Sequence, residues 1–88
     1  MTKKDKFKEI FNNFVNEGAE YIGVFIKSPN LEQPELILNK ICNAKKKLEY
    51  YLNAYNDDMQ LKSVNSVQML SITGAIYLED LEDNAVSI

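Results

Sequence analysis

The chain contains no histidine, no arginine and no tryptophan, and its single cysteine is Cys42. Without His there is no imidazole general base, no Ser-His or Cys-His nucleophile pair and no ordinary zinc site. Without Arg the bidentate fork that usually grips phosphates and carboxylates is missing, and all ten basic residues are lysines. A lone cysteine forms no internal disulfide, which fits a reducing cytoplasm. No catalytic residue, cofactor or metal ligand set is therefore expected, and the chain reads as non-enzymatic. Long apolar runs are missing as well. The longest, Tyr21 to Ile26, falls far short of the roughly 20 residues that span a bilayer. The basic start runs into the amphipathic Phe7-Lys8-Glu9-Ile10 rather than the apolar stretch of a secretory signal. The expectation is a soluble intracellular chain with no membrane partner.

What is present fits one small domain over residues 1–88. Hydrophobic residues make up 45% and charged residues 26% of the 88, which suits a globular protein rather than a disordered tail. Phe7, Ile10, Phe11, Phe14 and Val15 recur at helical spacing. Thr2 and Asp5 have capping-box spacing, and Gly18 stands where a helix ends, which predicts a helix over 2–17. Tyr21 to Ile26 is short, β-branched and aromatic, as an interior strand would be. Ser28-Pro29-Asn30 interrupts it, and Leu36-Ile37-Leu38 resumes as a second strand, paired most economically antiparallel. Asn43 can cap a second helix reaching about Asn56, with Ala44, Leu48, Tyr51, Leu52 and Tyr55 facing inward. Asn65-Ser66 offers a turn, Val67 to Thr73 a strand, and Gly74 a bend or bulge before Ala75 to Leu78. The expected fold class is α+β: a small antiparallel or mixed sheet of three or four strands carrying two helices, in the order α-β-β-α-β-(β). Residues 79–88 read as an acidic, frayed tail, although Ala85 to Ile88 could add an edge strand across a homodimer.

Each functional candidate has a plainer alternative. Lys40, Lys45, Lys46 and Lys47 could contact phosphates, but a net charge of −3 argues for a solvated helix face, and a nucleic-acid partner is not expected. The α-β-β-α opening invites comparison with a KH module, which fails because Gly18, Gly23 and Gly74 supply no Gly-x-x-Gly clamp. Glu79, Asp80, Glu82 and Asp83 lack the glycine-centred spacing of an EF-hand and suit a charge-complementary protein contact or a solubilising terminus. Tyr50 points about 100° away from the face of Tyr51 and Tyr55, so it can serve as an interface anchor while they pack inside. Leu31, in the loop Lys27 to Glu35, is a second exposed anchor. Cys42 reads as a small packing residue.

Glu35-Leu36-Ile37-Leu38-Asn39 and the run from Lys46 to Asp58, followed by Leu61-Lys62, resemble small accessory proteins of phages and prophages of low-GC Gram-positive bacteria. The ten asparagines and the all-lysine basic set agree with an AT-rich coding sequence. The resemblance implies a protein of the bacterial host cytoplasm that binds a host protein and inhibits or redirects it. An anti-defence inhibitor of the anti-CRISPR kind is its sharpest form. The residues themselves leave two other classes open: a nucleotide-binding oligomer using the lysines, and a regulator associated with nucleic acid.

Overall fold

A computed structural model describes residues 1–88. Helix α1 spans Lys3–Asn16 and closes with a full capping box between Thr2 and Asp5. The Thr2 hydroxyl accepts from the Asp5 N–H at 3.1 Å and the Thr2 N–H donates to the Asp5 carboxylate at 3.2 Å. The bond from the Thr2 N–H, with the Thr2 hydroxyl adding to it, favours the ionised acid and holds the Asp5 carboxyl below its ordinary range. At the other end Gly18 takes φ +87°, and Gly18 N–H and Ala19 N–H return to the carbonyls of Val15 and Phe14. This double bond needs a left-handed residue, which glycine adopts without a Cβ penalty.

The sheet is antiparallel throughout, in the order β2-β1-β4-β3. Its strands are β1 (Tyr21–Lys27), β2 (Glu35–Lys40), β3 (Gln60–Leu61), β4 (Val64–Ala75) and β5 (Val86–Ser87). β5 pairs with Ser71 and Ile72 of β4 on the side away from β1. Helix α2, Ala44–Ala54, follows a single 3-10 turn at Ile41–Asn43. Ile22, Val24 and Ile26 of β1 face the helices together with Ile37 and Asn39 of β2 and with Met69 and Ile72 of β4. Phe7 and Phe11 of α1, Tyr51 of α2 and Tyr55 just past its end close over them. Phe7 meets Tyr51 edge-on, with ring centroids 5.8 Å apart. Each fully buried side chain of this size contributes about 1.5–3 kcal/mol. Lys4 Nζ donates to the last-turn carbonyl of Leu52 at 2.8 Å, which ties α1 to the negative end of α2.

The α+β class and the antiparallel pairing of β1 with β2 agree with the sequence reading, while several details differ. The sheet has five strands, because two pairs of residues too short to show a pattern join its edge. Asn65-Ser66 lies inside β4 rather than in a turn; the chain reverses at Lys62 and Ser63. Gly74 is neither a bend nor a bulge. It is a regular strand residue beneath Phe14, and the register shift lies between Phe25 and Ile26, where Leu70 is the extra residue of β4. Asn43 precedes α2 but its side chain makes no capping bond, and Cys42 is exposed rather than packed. Val86 and Ser87 complete the chain's own sheet instead of waiting for another copy.

Candidate functional site

The acidic run is not a frayed tail. β4 ends at Ala75, and the chain folds back through two 3-10 turns, Leu78–Asp80 and Glu82–Asn84. Leu81 between them is only 3% exposed and acts as the plug. The Thr73 hydroxyl, wholly buried, donates to the Leu81 carbonyl, and Asn84 Nδ2 donates to the Gly74 carbonyl at 3.1 Å. Thr73 is paired with Gly23 and points to the face of the sheet opposite the helices. A hydrophobic plug and two hydrogen bonds to β4 therefore fix a segment that its composition alone would leave loose. Glu79, Asp80, Glu82 and Asp83 all remain exposed around the plug.

The residues leading into this segment are apolar and uncovered. Ile76, Tyr77 and Leu78 are 56%, 62% and 51% exposed, three large side chains in a row. Beside them lies a cleft of about 300 Å³ whose walls include Phe14, Ala75, Ile76, Tyr77 and Asp80. Aromatic and aliphatic anchors next to a rim of carboxylates have the anatomy of a protein contact surface. Sequence reasoning singled out the carboxylates and read Ala75 to Leu78 as a continuation of the strand or a separate one, with Tyr77 an interface anchor if exposed; Ile76 and Leu78 it did not single out. The signal was there: three apolar residues stand directly before an acidic run.

The other candidates fall elsewhere. Tyr50 is 53% exposed on the side of α2 next to β2, packed edge-on against Tyr51 at 5.4 Å, with Lys47 Nζ 5.8 Å above its ring. Leu31 is 42% exposed in the loop between β1 and β2. Neither joins the acidic segment, which packs on the opposite layer. The lysines diverge: Lys40, Lys45 and Lys47 line three different clefts, so they form no common anion cradle.

No family model, curated protein or solved structure matches the chain. Its own chemistry is then the guide. Burial raises the Tyr51 hydroxyl above its ordinary pKa, against a hydrogen bond from Asn39 Nδ2 at 3.1 Å. Burial likewise pushes Tyr55 up to about 12, with the neighbouring phenols Tyr50 and Tyr51 adding to the shift. These are neutral core groups, not proton carriers near pH 7. No three Asp, Glu or Cys side chains converge as a metal-binding group, and no helix is long and apolar enough to cross a membrane.

Proposed function

We propose that this chain is a non-enzymatic binding protein that occupies a basic surface of a partner protein through residues 76–83. The observation that carries the reading is the pinned acidic segment. Leu81 and the bonds from Thr73 and Asn84 hold four exposed carboxylates in place next to Ile76, Tyr77 and Leu78. Ordering such a surface before binding removes much of the entropic cost of association. The apolar trio supplies the buried anchors, and the carboxylates supply orientation and on-rate. The resemblance to phage and prophage accessory proteins extends this to a host protein that the chain inhibits or redirects. A defence nuclease, with its basic nucleic-acid groove, is the sharpest form of the idea. The nucleotide-binding alternative loses ground because the lysines line separate clefts.

The test is affinity capture of tagged protein from nuclease-treated Gram-positive lysate, run with three variants. A stoichiometric protein prey should survive nuclease and be lost with Tyr77→Ala or with the four carboxylates changed to amides. It should be retained when Lys45, Lys46 and Lys47 become alanine. Prey that ignores the acidic variant, or that vanishes with nuclease, would sink the assignment.

A further inference from the structure

β2 ends the sheet, with β1 on one side and no strand on the other. Natural edge strands are usually guarded by an internal proline, a bulge or an inward-pointing charge in mid-strand. β2 has none of these: Pro34 precedes it, its register with β1 is unbroken, and its charges stand only at Glu35 and Lys40. Its middle is Leu36-Ile37-Leu38, with Leu38 43% exposed. We propose that β2 pairs antiparallel with β2 of a second copy about a two-fold axis through Ile37, joining two sheets into one. This inference does not depend on the proposed function.

The side-chain pattern argues for self-pairing in one register. From Glu35 to Asn39 the strand reads polar, Leu, Ile, Leu, polar, the same from either end about Ile37. An antiparallel pair places opposed residues on the same face, so the axis must pass through a residue and keep both sets of helices on one side. Centred on Ile37, the pairing opposes Ile37 with itself, Leu36 with Leu38, and Glu35 with Asn39. Centred on Leu38 it would set Leu36 against Lys40 and Ile37 against Asn39, which mismatches apolar with polar groups.

Two further features sit at that axis. Tyr50, Lys47 and Ile37 line one cleft of about 260 Å³, so the exposed Tyr50 rings of both copies come to the seam. Glu35 pairs with Ile26 and therefore lies on this same face, where Lys47 also stands. Two glutamates and two lysines thus share the joint, with no net charge between them. One strand and one aromatic per copy make a small interface, below the range of stable dimers, so the association is weak and concentration-dependent.

Sedimentation equilibrium up to ~1 mM protein tests it. The average mass should climb from 10.1 kDa towards twice that value for the native chain. Leu38→Lys, at an exposed site, should remain monomeric with an unchanged circular dichroism spectrum. In a Cys42→Ser background, Ile37→Cys should cross-link to itself under mild oxidation. Leu38→Cys should not, because its two copies would lie about 7–8 Å apart on the diagonal. If Ile37→Cys does not fold, a mixture of Leu36→Cys and Leu38→Cys chains should give the mixed cross-link instead. A native chain that stays monomeric throughout, or a Leu38→Lys variant that associates like its parent, overturns the proposal. Changing Glu79, Asp80, Glu82 and Asp83 to amides should leave this self-association intact, which separates failure of this proposal from failure of the binding function.

Discussion

Gly74 lies directly beneath Phe14: a Cβ built there would stand 2.5 Å from the ring. No side chain fits unless α1 lifts off the sheet, so the strand residue is glycine for space rather than for backbone freedom. Gly74→Ala should therefore destabilise the fold by about 1–3 kcal/mol, as overpacking does. Combining it with Phe14→Ala, which removes the two nearest ring atoms, should cost less than the sum of the two single changes in chemical denaturation. A second residue-scale expectation concerns Tyr55, whose pKa in the fold is about 12 against 10.0 for the free side chain. The folded state favours the neutral phenol, so this contribution to stability is complete below pH 10 and is lost as pH rises from 10 towards 12. Tyr55→Phe should flatten the decline in urea-unfolding stability over that window. Tyr51, also shifted upward, should leave a residual slope.

Among the elements, the last ten residues matter more than their composition suggests. Leu81→Ala should cost about 2–5 kcal/mol, the usual loss for a fully buried leucine. It should also raise amide exchange over residues 78–87 ahead of the rest of the chain. Deleting residues 79–88 removes β5 as well as the plug over Thr73, so it should lower stability along with binding. α1 and α2 were legible because each carries enough residues for its period to show, and β1 and β2 because short β-branched or aliphatic runs are bounded by breakers. Phe7, Phe11, Tyr51 and Tyr55 appear in the core as that period requires. The acidic segment was not legible, because its order rests on one leucine and on bonds to Thr73 and Gly74, partners distant in the pattern. The reversal after α2 was legible only in part. Asn56 Oδ1 accepts from Asp58 and Gln60, and this holds Met59 at φ +58° with its side chain wholly buried. An Asn-Asp-Asp turn is visible in the sequence; the methionine it turns inward is not.

For the whole molecule, charge is divided between layers. Lys45, Lys46 and Lys47 ride on α2, while Glu79, Asp80, Glu82 and Asp83 sit with the segment on the other side of the sheet. A basic partner is then drawn to one side and repelled from the other. The association rate of the proposed complex should fall as salt rises, while its dissociation rate changes less. A complex whose association rate is indifferent to salt would leave the carboxylates without the steering role assigned to them.

β1 is the second element made and the middle of the sheet, yet one of its neighbours, β4, is completed only at Ala75. A growing chain on the ribosome can bring α1, β1, β2 and α2 together and still leave one flank of β1 bare. Ile22, Val24 and Ile26 reach their full cover only when β4 arrives. Completion of the sheet around β1 therefore waits until Ala75 has been made. A message cut short before codon 75 yields an open sheet edge rather than a smaller domain, and such a product is a substrate for proteolysis.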